Sequence, residues 1–221
     1  MATLKKIRLP DGKEITLADW GAYPLRSTME FIVVGGAGAI NVNEVRIFTY
    51  TVGQQVPSSN RNADELDCNN NLPSQMPMDE EMLVYTMQIE LDSRLTPVSV
   101  RSIVQRTLFT LSVGGVKNYT DGPITRYPAG GGISGFSVIN NESVVSNGMP
   151  GVHAAKQLAI PVHIAGGEKF WGIYRFFQRA DAVGVGAIPI TLLNAAGGVL
   201  AAGDTRQIVT YLDGLRKRPL S

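Results

Sequence analysis

The chain has 221 residues, enough to bury a sizeable core without staples. Its 44% hydrophobic content excludes a disordered protein, and its 24 glycines, 12 prolines and 18% charged residues argue against a helical bundle. A formal net charge of +1 lacks the global footprint of a nucleic-acid binder, and one cysteine, Cys68, excludes an intrachain disulfide or a multi-cysteine zinc site.

Taken in chain order, Leu4–Leu9 and Lys13–Leu17 flank Pro10-Asp11-Gly12 and predict a hairpin within residues 1–20. Residues 1–11 carry no apolar signal core, and no window of the chain reaches the ~18 apolar residues of a membrane span. Ala18–Arg26 reads as a connection and Met29–Val34 as a strand ended by Gly35-Gly36. Glu44–Val52 alternates with a period of two, so a strand covered on both faces is expected. Gly53–Asp79 is polar and rich in Pro, Asn and Ser, with no helical or strand period. So long a loop is commonly functional, and it is expected to project from the body and contact another chain.

Glu80–Asp92 returns to strand character. Thr96-Pro97 matches an N-cap with proline in the first turn and opens the one short helix, to about Gln105. Thr107–Val113 and Val116–Tyr119 flank a Gly114-Gly115 turn, and Asp121-Gly122-Pro123 reads as another turn. Pro128–Gly135 is a glycine-rich loop. Gln157–Ala165, Phe170–Gln178, Ala187–Leu193 and Arg206–Leu212 complete the strands, and Asp213-Gly214 reads as a turn before a basic tail lying at a sheet edge. Many short strands punctuated by turns predict an all-β fold, one β-sandwich domain over residues 1–221 with long loops. Both ends of the chain are expected to be held by packing.

Candidate chemistry is thin. Val33–Asn41 has a strand followed by glycines, but Asn41 stands where a dinucleotide fingerprint needs its third glycine, and a strand follows instead of a helix. Gly132-Ile133-Ser134-Gly135 is followed by Phe136, so it misses the nucleophile-elbow spacing. The two histidines, His153 and His163, give no base for a triad and no metal set, and His163 alternates within an apolar strand. Cys68 between Asp67 and Asn69 is a poor nucleophile, because neighbouring acids oppose thiolate formation. The sequons at Asn118 and Asn141 matter only in a secreted eukaryotic chain. No catalysis, no cofactor and no metal are therefore expected.

Residues 61–94 hold eight acids against two arginines. Three readings stay open: a solvated loop, an oxygen-ligand calcium site without the ordered spacing of a calcium loop, or a docking surface for a basic patch on another copy. On the last reading Asp64, Glu65 and Asp67 of one subunit meet Arg216, Lys217 and Arg218 of its neighbour. The short basic end itself is too small for an RNA-packing arm. A low charge fraction fits an oligomer, since interface cores are depleted in charge.

The closing segment Arg206–Pro219 resembles the last strand of β-sandwich proteins that build viral shells. Met82–Leu91, a short helical crossing, and Leu108–Val113 with Gly114-Gly115 are similar to jelly-roll capsid proteins of tailless icosahedral bacteriophages. The resemblance covers about half the chain. It implies a jelly roll that self-assembles into a capsid shell in the virion, with copies of itself and other virion proteins as partners, no specific nucleic-acid recognition and no enzymatic activity. The alternative is a carbohydrate- or receptor-binding sandwich, such as a spike or tail component, in which Trp20, Trp171 and tyrosines stack on sugar rings.

Overall fold

The computed structural model describes residues 6–8, 12, 14–16, 20–32, 43–92, 94–115, 117–127, 134–135, 145–146, 156–177, 190, 192–193 and 199–217. Its strands in order are β1 Lys6–Arg8, β2 Glu14–Thr16, β3 Trp20–Gly21, β4 Leu25–Ile32, β5 Glu44–Ile47, β6 Glu81–Leu91, β7 Thr107–Val113, β8 Lys117–Pro123, β9 Ser134–Gly135, β10 Val145–Ser146, β11 Lys156–Ile164, β12 Phe170–Phe176 and β13 Thr205–Lys217. Among the described residues one α-helix, α1, spans Pro97–Arg106. The predicted N-terminal hairpin is present as β1 paired with β2. The glycine run within 33–41, His153, Asn141, Arg218 and both chain ends lie outside the described residues, as does most of Ala187–Leu193.

Two antiparallel sheets form the body. One runs β11-β6-β13 with β4 and the short β3 sharing the next position, and the other runs β5-β12-β7-β8. The pairing is nested: β4 with β13, β5 with β12, β6 with β11, and β7 with β8. That winding, in which one long antiparallel hairpin is rolled into two facing sheets, is a jelly roll. The fold is therefore the all-β sandwich that the strand pattern predicts.

The alternation of side chains decides the faces. Ile208, Thr210 and Leu212 of β13 are fully buried against the opposite sheet, while Val209 and Tyr211 point outward, as the sequence pattern requires. The inner faces meet through Phe31 on Phe176, edge to face with centroids 5.2 Å apart, while Phe109 lies beside Tyr174 on the neighbouring strand of its own sheet and edge-on to Tyr127. Edge-to-face pairs of this kind add ~0.5–1.5 kcal/mol beyond their area. Tyr174 Oη and Thr210 Oγ1, 2.5 Å apart, tie the two sheets together inside this apolar layer. α1 starts as predicted: Thr96 Oγ1 accepts from the Ser99 N–H at 3.3 Å, and Pro97 takes the first turn. Val100, Ile103 and Val104 carry its buried stripe into the core.

Several boundaries differ from the sequence expectation: the expected connection Ala18–Arg26 holds β3, and β4 starts at Leu25, ahead of Met29. β5 stops at Ile47 because Phe48 adopts φ +62° and turns its ring into the core, so Val45, Ile47 and Phe48 are all buried and the alternation to Val52 is broken. Asp121-Gly122-Pro123 is strand, not turn: it pairs with Thr110, Phe109 and Leu108. β8 is an edge strand, where a missing proline N–H costs no ladder bond. Asp213-Gly214 is likewise not a turn. It is a bulge within β13, which continues to Lys217 between β6 and β3.

Candidate assembly surface

The long connection from β5 to β6 decides where the acidic residues lie. Contrary to expectation it does not project; it folds back along the open side of β4. Glu30 N–H donates to Pro57 O at 3.1 Å, Asn69 N–H to Arg26 O at 3.4 Å, and Arg26 N–H to Asn69 Oδ1 at 2.7 Å. Its second half is stitched to the β11–β12 turn by Met76 N–H to Glu168 O and Phe170 N–H to Ser74 O, both at 3.0 Å. Val56, Ala63, Cys68 and Met76 are buried beneath it. A β4 edge left bare would expose unpaired N–H and C=O groups, and this loop covers it. The physical reason for the missed expectation is that polar side chains here satisfy the chain's own backbone, so a polar loop needs no second subunit for its order.

Tyr50 pins the loop from inside. Its hydroxyl donates to Thr28 O at 2.6 Å and accepts from Thr28 N–H at 2.9 Å, and burial pushes the phenol up to about 12. Arg61 supplies the second pin. Its guanidinium forks onto both oxygens of Asp67 at 2.6 and 2.7 Å and reaches Glu30 on β4. Burial opposes the Asp67 charge, but the Arg61 fork and the Asp64 N–H outweigh it and hold the carboxyl below the usual carboxylate range. Asp92 behaves alike: burial opposes ionisation, and Arg94 with two backbone N–H groups lowers it below the usual carboxylate range. A depressed carboxyl stabilises the fold above its unfolded value and loses that contribution as pH falls through the folded one. The urea midpoint is therefore expected to fall as pH drops below about 4, and Asp67→Asn to be less stable at neutral pH and to flatten that acid limb. An unchanged limb in Asp67→Asn would show that the Arg61 fork does not hold the loop.

The residues of the expected subunit contact separate. Asp67 is buried in its own loop, and the exposed Asp64 caps the Leu66 and Asp67 N–H groups. Glu65 is exposed. Arg216 is not in an edge tail. It is 1% exposed on β13, and its Nε donates to Glu80 Oε2 at 2.7 Å while Nη2 binds the same oxygen. Asn71 Nδ2 donates to the other Glu80 oxygen at 2.8 Å. The basic end does meet the acidic stretch, but within one chain, because β13 is the long central strand that carries Arg216 to the start of β6. Arg216 and Asp67 thus leave the list of contacts between subunits; Lys217, half-buried, pairs in register with Glu81 and Trp20.

Among the described residues no three acids, histidines or cysteines converge as a metal-binding group. His163 Nε2 lies 3.4 Å from Glu81 Oε2 on the neighbouring strand. Cys68 is buried, and burial more than its acidic neighbours raises its thiol. Trp20 and Trp171 lie on different sheets, the first packed on Leu83 and the second under Arg46, so they form no joint stacking platform. Among the described residues no helix is long and apolar enough to cross a membrane.

Sequence reasoning missed Glu30, Arg61 and Glu80 as latches. The available signal was an arginine set inside an acidic run. Among the polar side chains that the loop shows to solvent stand large apolar ones: Met78 is 81% exposed beside the Gly166-Gly167 turn, and Leu66, Leu72 and Val52 are exposed as well. Compared with protein-family models, curated proteins and solved structures, the chain matches none.

Proposed function

We propose that this chain is a structural subunit that self-assembles into a bacteriophage capsid shell. The nested pairing of two facing sheets supports the reading, because the jelly roll is an architecture of viral capsid domains, though it also serves lectins and cupins. Fold alone does not fix function. The loop adds the local argument: it is already ordered by its own chain, yet it places Met78 and Leu72 in water at one end of the sandwich. Large apolar side chains held outward on an anchored loop suit contact with another copy.

Electron microscopy and light scattering of the expressed protein test the proposal. Closed particles or ring-like oligomers are expected. Met78→Asp with Leu72→Asp is expected to leave the melting temperature within a few degrees and to weaken association about tenfold or more, the effect of ~1.4 kcal/mol. A protein that stays monomeric at high concentration, or assembles unchanged with both substitutions, would overturn this assignment of the surface.

A further inference from the structure

On the outer face of the β4-β13-β6 strands lies a groove of about 420 Å3, lined by Arg26, Glu90, Asp92, Arg94, Gln207 and Tyr211, with Leu66 at its rim. The register sets these side chains in cross-strand rows: Arg26, Tyr211 and Gln88 are direct partners, and Val209 pairs with Glu90 in the next row on that face. The β5–β6 loop forms one wall, because Arg26 donates through Nη2 to Glu65 O. Arg94 forms another, held by Asp92 at 2.6 and 3.0 Å. The groove is therefore built by two ordered walls on a rigid sheet, and its size falls within the ~300–1,000 Å3 of small-ligand sites.

Its chemistry is specific. Two guanidiniums and two carboxylates balance, so the groove does not select an ion by net charge. Tyr211 Oη donates to Glu90 Oε2 at 3.1 Å, one row along the sheet, so the phenol leans across the strands instead of standing off them. Burial first, then Glu90, pushes this phenol up to about 12, and it stays a neutral donor at physiological pH. Arg26 Nε is buried with no acceptor among the described residues. A ligand with many hydroxyls, each both donor and acceptor, and with a C–H face matches this mixture of guanidinium, carboxylate, amide and aromatic ring.

We infer that the groove binds a neutral saccharide, with Tyr211 under the sugar ring and Arg26, Glu90 and Gln207 on its hydroxyls. The inference does not rest on shell assembly, and neither tryptophan lines the groove. A printed array of neutral and acidic glycans, probed with the full-length protein, identifies the sugar. Isothermal titration then follows the strongest neutral glycan. Glu90→Gln and Gln207→Ala are expected to weaken binding about tenfold each, and Tyr211→Ala to abolish it, with circular dichroism confirming the fold. Should Tyr211→Ala fail to fold, the two milder variants decide. No glycan bound, binding restricted to acidic glycans, or affinity unmoved by Glu90→Gln and Gln207→Ala would overturn the inference. Because assembly is read by microscopy and sugar binding by titration, failure of one leaves the other standing.

Discussion

Replacing either Glu80 or Arg216 by alanine is expected to destabilise the protein by about 3–5 kcal/mol, the usual penalty for leaving one buried charge without its partner. Both side chains are almost wholly enclosed, 6% and 1% exposed, so water cannot replace the lost contact. The pair joins the last residues of β13 to the entrance of β6, and Asn71 extends it into the loop. The double variant Glu80→Leu with Arg216→Met is expected to recover most of the loss, because it removes both desolvated charges and keeps the volume. Urea unfolding with an unchanged slope gives the measurement. A single variant costing under ~1 kcal/mol would place the pair in effective contact with solvent. Truncation before Leu215 is then expected to unfold the subunit, not merely to weaken assembly, since it removes Arg216 together with the end of a central strand.

Gly214→Ala is the second large effect. A Cβ at this bulge would lie 1.8 Å from the Leu83 carbonyl oxygen and 3.1 Å from Val84 Cα. Backbone cannot swing aside as a flexible side chain can, so the strand must shift in its register with β6. The expected cost is about 3 kcal/mol, at the upper end for overpacking. In a domain of this size that lowers the melting temperature by roughly 6–12 °C. A loss of less than ~2 °C would mean that β13 is not paired through Gly214.

The strand pattern carried the architecture. The apolar, strand-like run Met82–Leu91 and the period-two alternation of Arg206–Leu212 determined that these segments are strands, the alternation determined which side chains of the second share a face, and Thr96-Pro97 determined where α1 begins. Such signals are local, a matter of pleat, capping and fixed φ, and they survive any tertiary arrangement. Gly114-Gly115, with φ +72° and +80°, is the same kind of signal, and the turn stands where it was expected.

Asp213-Gly214 carries an equally strong turn signal and is a bulge in mid-strand. Glycine there answers not to a reversal but to the close approach of the Leu83 carbonyl from a strand more than a hundred residues away in sequence. The same distance hides the latches. Nothing local shows that Arg216 meets Glu80, that Arg61 bridges Asp67 to Glu30, or that Arg26, Glu90 and Tyr211 share one groove. Composition determined an acidic stretch and a basic end, and alternation put Tyr211 and Val209 on the face opposite Ile208 and Thr210. Which charges are buried, and which face water, was decided only when β13 took the central place between β4 and β6, because burial depends on neighbours that the chain brings together by folding.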